Sequence, residues 1–140
     1  VFEVILVLNT IWFAMGFNVF SLRGKIFAKL VVPRDQRDTP VFNVLVESGK
    51  FLGGFNLAFS LLSLLILFNL TVFSGDSQRA ILLLVFAVAH GTQFFFNVPV
   101  VMQNRRGGGV WQVKGVIRFI FITDFIMTIL NGILAFWYFF

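Results

Sequence analysis

Few residues in this chain are chemically at odds with their neighbours, and those few are the informative ones. Asp124 is the only charged residue between Phe119 and Phe140. A carboxylate at the centre of a lipid-embedded helix costs about 3 kcal/mol on insertion, so it needs a partner or a task. Thr128 and Asn131 follow at i+4 and i+7 and share its helical face. The position suits a packing residue held by hydrogen bonds, or a carboxylate that binds a cation or carries a proton.

His90 is the sole histidine and lies in the middle of another apolar run, with Gln93 and Asn97 on its face at i+3 and i+7. Three roles fit it: a hydrogen-bonded structural histidine, a proton relay with Asp124 about two helical turns away in depth, or an axial ligand to one tetrapyrrole. A lone histidine excludes bis-histidine haem. Scattered carboxylates give no zinc-ligand spacing, so no metal site is expected.

Asn18, Asn56, Asn97 and Asp124 each lie roughly 8 to 12 Å from the basic edge of their segment. They form a polar belt with two readings. Interhelical hydrogen bonds of about 0.6 kcal/mol each would make it structural. A small polar cavity open to the basic side, centred on Asp124, would make it a ligand or proton site.

Gly49, Gly53, Asn56, Ser60 and Ser63 form a ridge of small residues, and Gly49-xxx-Gly53 permits close approach of a helix from this chain or another. Glu47 and Lys50, at i and i+3, read as a local ion pair in the headgroup zone or as a docking contact with a neighbouring subunit. The 21 phenylalanines suit lipid, and they also suit flat lipophiles. Candidate ligands are therefore lipid, a quinone or a tetrapyrrole pigment.

Signals of catalysis are weak. No nucleophile has a nearby histidine, no carboxylates pair, and Gly107-Gly108-Gly109 lacks the strand and lysine of a phosphate loop. No catalytic residue is assigned, and the reading leans away from an enzyme.

The elements that must position these residues follow from hydropathy. The chain has 140 residues, 59% hydrophobic and 12% charged, with mean hydropathy +0.94. A soluble domain carries about 25% charged residues. Such apolar surface would aggregate in water, so lipid is the expected solvent. The absence of cysteine excludes disulfides and thiolate chemistry. Val1 in place of methionine is expected of a trimmed or processed chain, and no stretch resembles a targeting segment.

Four segments can cross a hydrocarbon layer of about 30 Å, with helices expected over 2–22, 40–73, 78–103 and 110–140 of a single transmembrane domain, 1–140. The piece from Leu22 to Leu30 alternates apolar and basic residues like a short interfacial helix ended by Pro33. Thr39-Pro40 reads as N-cap and N1. Ser74-Gly75-Asp76-Ser77 reads as a turn with an N-cap at Asp76 or Ser77. Pro99 should kink its helix.

Arg23, Lys25, Lys29, Arg34, Arg37, Arg105, Arg106, Lys114 and Arg118 gather at one end, against Arg79 at the other. The positive-inside rule then puts loops 23–39 and 104–109 in the cytoplasm, matrix or stroma and both termini outside. The net charge of +5 points to orientation and lipid headgroups and not to nucleic acid.

The fold class is an all-α, four-transmembrane-helix up-down bundle. This outline is similar to that of many small membrane families, DoxX-like proteins among them. The likeness is one of topology and implies no function. The leading expectation is a non-catalytic accessory or structural subunit of a larger membrane complex, with membrane lipids and other membrane subunits as partners. The alternatives are a small proton-coupled carrier or binding protein for a lipophilic or weakly acidic ligand, using Asp124 and His90, and a pigment-binding subunit with His90 as ligand.

Overall fold

The computed structural model describes residues 1–140 and contains helices and no strands. Helix α1 (Phe2–Phe17) passes directly into a π-helical turn over Asn18–Leu22, and Arg23 redirects the chain into the short α2 (Gly24–Val31). The pre-proline residue Val32 is extended, as Pro33 requires, and α2 stops there. Arg37 secures that end by donating to the carbonyls of Lys29 at 2.6 Å and Val32 at 3.0 Å. The expected interfacial piece is thus a real helix, which runs on along the segment that follows Pro40, with Gly24 beside Val46 and Ala28 buried near Phe42 and Val46.

Helix α3 (Pro40–Phe68) begins with proline at its first position and Thr39 as N-cap. The Thr39 hydroxyl does not cap α3; it donates backwards to the Gln36 carbonyl at 2.9 Å. The α-helix also ends five residues before the expected 73. Asn69 leaves the helical region, and Leu70–Phe73 forms a 3-10 turn.

Helix α4 (Asp76–Arg105) is capped one residue earlier than expected. Gly75 is the N-cap, and its N–H donates to Oε1 of Gln78, which reaches back at 3.2 Å. The helix continues through Pro99 to Arg105.

Helix α5 (Val116–Phe139) starts six residues later than expected. The intervening loop uses Gly107, Gly109 and Gly115 at positive φ, which glycine tolerates without a steric penalty. Asn104 sews this loop down. Its Nδ2 donates to the carbonyls of Gly108 and Trp111, both at 2.9 Å, and its Oδ1 accepts from the Val113 N–H at 2.8 Å.

The four long helices alternate in direction. Helix α1 packs along α3 and α4 packs along α5. The small-residue ridge explains the first pairing. A side chain on Gly53 would strike Ser21, one on Gly49 would meet Phe20 and Phe27, and Ser60 donates to the Thr10 carbonyl at 2.9 Å. The ridge is therefore occupied by this chain's own α1. Glu47 and Lys50 form an exposed ion pair at 2.5 Å on the rim of α3.

Between the two helix pairs lies a core that includes Phe2, Leu6, Phe13, Leu83 and Phe86. Most remaining large apolar side chains point outward, Phe51, Phe68, Phe96 and Trp137 among the most exposed. Helix α1 with its π-turn (Phe2–Leu22), α3, α4 and α5 are each long and apolar enough to cross a membrane. Their alternation collects the basic loops at one end. At the other, the Arg79 guanidinium lies over the rings of Phe2 and Tyr138 at 5.1 and 5.7 Å.

Candidate functional site

Inside this apolar frame sits one connected polar cluster, with Asn9 and Trp12 from α1, His90 from α4, and Asp124 and Asn131 from α5. Asn9, His90, Asp124 and Asn131 are buried, none more than 1% exposed. Burying that many polar groups is tolerable only if each is hydrogen-bonded, and no buried side-chain nitrogen or oxygen here lacks a partner.

Asn9 fixes the polarity of the cluster. Its Nδ2 donates to the Ile5 carbonyl at 2.8 Å and to Asn131 Oδ1 at 2.9 Å. Because the Ile5 carbonyl can only accept, the amide has one orientation, and Asn9 Oδ1 must face His90 Nε2, 3.0 Å away. An amide oxygen only accepts, so Nε2 carries a hydrogen. On the other side of the ring, Nδ1 lies 3.1 Å from Asp124 Oδ1. That contact closes only if one proton lies between the two atoms, as imidazolium and carboxylate or as imidazole and carboxylic acid. Either form is net neutral, which is what a low-dielectric interior favours.

Asp124 Oδ1 also accepts from Trp12 Nε1–H at 2.8 Å. Its other oxygen, Oδ2, makes no hydrogen bond, and Asp124 lines a cavity of about 560 Å³. This chamber extends from Asp124 towards the basic end between the π-turn, α2, α3, α4, α5 and the 107–115 loop. Its wall is mainly apolar, with Gln93, Asn97 and Trp111 supplying polar edges. Gln93 makes no side-chain hydrogen bond and also borders a smaller cavity of about 90 Å³ beside Trp12, Gly16 and Asn56. The chamber shares Val31, Pro33, Trp111 and other wall residues with a basic vestibule of about 610 Å³.

His90 and Asp124, weighed as relay partners from sequence, are in direct contact. Gln93 and Asn97 reach the same chamber, and Asn97 Oδ1 accepts from Trp111 Nε1–H at 3.3 Å. The four-residue belt does not close. Asn56 Nδ2 bonds only to the Leu52 carbonyl of its own helix, and Asn18 is half-buried in the π-turn with no side-chain hydrogen bond. Gly49 and Gly53 lie against the π-turn and α2, Ser60 bonds to α1, and Ser63 donates to the Phe59 carbonyl of its own helix, all away from the cluster.

Two cluster residues escaped the sequence reading, Asn9 and Trp12. Their signal was an amide in mid-span with an indole three residues on, one turn of the same helix.

For a tetrapyrrole, the geometry is unfavourable. Both His90 nitrogens are engaged, and Phe13 stacks on the ring at 4.7 Å with planes 15° apart, so no nitrogen is free to ligate. No group of histidine, cysteine and carboxylate residues is placed to hold a metal ion. No family model, curated protein or solved structure matches the chain.

Proposed function

We propose that the four long helices span a membrane, with the basic loops facing the cytoplasm, matrix or stroma, and that the chain is a non-catalytic binding protein or carrier for a small lipophilic, weakly acidic ligand. The observation that carries this reading is the double duty of Asp124. One carboxylate oxygen belongs to a sealed hydrogen-bond network that holds a proton. The other makes no hydrogen bond, and Asp124 is one of the residues lining a chamber of about 560 Å³, within the usual range for small-molecule sites. A ligand hydroxyl there would meet an acceptor whose proton inventory is set by His90, Asn9 and Trp12.

A short-chain quinol tests the reading. Quinones and quinols in the chamber should quench Trp111, which lines it, and Trp12, which is hydrogen-bonded to Asp124 behind its wall, in nanodiscs carrying a Trp137→Phe background. Saturable quenching that Asp124→Asn abolishes, with the bundle still folded by circular dichroism, supports the proposal. Identical titrations for both proteins would end it.

An accessory subunit of a larger membrane complex is the second reading. The small-residue ridge no longer argues for it, since α1 fills that surface. What remains in its favour is the exposed Glu47–Lys50 pair at the basic rim of α3. Co-migration with larger partners in mild detergent would support it.

A further inference from the structure

We infer that the ligand of this chamber is a single-chain amphiphile with an anionic head, its head held in the basic vestibule and its chain laid along the chamber towards Asp124. The inference rests on the binding reading above for the chamber alone: it places the end of an alkyl chain, and not a ligand hydroxyl, beside Asp124, and adds the ligand's chemical class.

The vestibule is lined by Lys29, Arg34, Arg37 and Lys114 and by no carboxylate. Arg37 is committed to the α2 carbonyls. The side chains of Lys29, Arg34 and Lys114 form no ion pair: those in the chain involve Glu3, Glu47, Asp76 and Asp124. Nor do these three make a hydrogen bond within the chain. Three unpaired cations around one concavity are complementary to an anion such as a carboxylate or phosphate.

Directly behind them the wall turns apolar. Leu30, Val31, Val32, Pro33 and Ile117 belong to both spaces, so head site and chain site are continuous. At about 30 Å³ per methylene-sized group, a chamber of about 560 Å³ holds on the order of twenty such groups. That matches one alkyl chain, and the second chain of a bilayer phospholipid would have to lie outside the chamber. Charge at the mouth and volume behind it thus select the same molecule.

The probe is 11-bromoundecanoic acid, whose terminal bromine quenches nearby indoles, titrated into the whole chain with Trp137→Phe in zwitterionic nanodiscs. Saturable quenching of Trp12 and Trp111 is expected. The matching bromo-alcohol should bind at least about tenfold more weakly, and so should the acid to a Lys29→Gln, Arg34→Gln double variant. Added salt should weaken the acid alone. Equal binding of acid and alcohol, or no effect of the double variant, overturns the inference. Displacement of the acid by a diacyl anionic lipid in the disc also overturns it, since the site would then be a headgroup site of the bilayer. If the quinol quenches and the acid does not, only this inference falls. If neither quenches, the binding reading falls with it.

Discussion

Asn9 Oδ1 lies 3.0 Å from His90 Nε2, and the amide is unable to turn round without losing its bond to the Ile5 carbonyl. One asparagine on α1 therefore chooses the protonation pattern of a histidine on α4. A prediction follows for the ring itself. In ¹⁵N spectra of the folded chain, His90 Nε2 should be protonated, with the exchangeable proton at Nδ1 shared with Asp124. Asn9→Leu removes the acceptor and leaves a buried N–H unpaired, which should lower stability by about 1–3 kcal/mol. The same variant should release the Nε2–H preference, a spectral change that a mere packing defect would not produce. An unchanged ¹⁵N pattern in Asn9→Leu would show that Asn9 does not govern the tautomer.

Asp124→Asn is nearly isosteric, yet the cluster offers its amide no satisfactory pose. With its oxygen towards Trp12 Nε1–H, the amide asks His90 Nδ1 to donate, and Nε2 is already a donor to Asn9. With its nitrogen towards His90, it sets an N–H against the indole N–H. Asp124→Asn should therefore lose about 1–3 kcal/mol. Adding Trp12→Phe removes the competing donor and lets the amide turn. The double variant should recover part of the loss, with a coupling on the order of 1 kcal/mol. Thermal unfolding in detergent of the wild type, two singles and double checks this, and strictly additive losses would refute it.

Long apolar runs between charge clusters were legible from sequence because each run is bounded by residues that hydrocarbon excludes. The four helices α1, α3, α4 and α5 follow from that alone. Rotation was not legible. In helices apolar nearly all round, no polar face says which way Asn9 or Asn56 turns. Depth was misjudged for a related reason. The basic edges used as rulers are not level, because α4 continues to Arg105 while α5 begins only at Val116, after a loop that Asn104 folds over the chamber. The belt of Asn18, Asn56, Asn97 and Asp124 looked coplanar by counting residues, whereas the hydrogen-bonded level joins Asn9, His90 and Asn131 to Asp124. Close packing is the better guide, since small residues at Gly49, Gly53 and Ser60 leave room for a neighbouring backbone, and Ser60 adds a hydrogen bond to the Thr10 carbonyl.

The neighbouring glycines Gly53 and Gly54 should respond oppositely to the same change. A Cβ at Gly53 would overlap the Ser21 side chain and come within 2.9 Å of the Ser21 backbone nitrogen, which belongs to the π-turn of α1. Backbone yields less readily than a flexible side chain, so Gly53→Ala should lower stability by about 1–3 kcal/mol. A Cβ at Gly54 meets nothing within 4 Å. Gly54→Ala should be neutral or raise stability by up to about 1 kcal/mol through helix propensity. Unfolding of the two variants side by side checks the sign. Equal effects would mean that α1 does not press on α3 at this point.

Sidedness is open to direct labelling, because the chain has no cysteine to interfere. Arg106→Cys places a thiol in the exposed loop at the basic end, and Ser77→Cys places one at the start of α4 at the opposite end. The alternation of α1, α3, α4 and α5 puts these ends about 45 Å apart along a 30-residue helix rising 1.5 Å per residue. If the helices cross a bilayer, a membrane-impermeant maleimide added to sealed cells should label Ser77→Cys and leave Arg106→Cys unreacted until the membrane is opened. The positive-inside rule sets which of the two is protected. Labelling of both from one side would mean that the long helices do not traverse the membrane, and the chamber above Asp124 would then open to the wrong solvent for a lipophilic ligand.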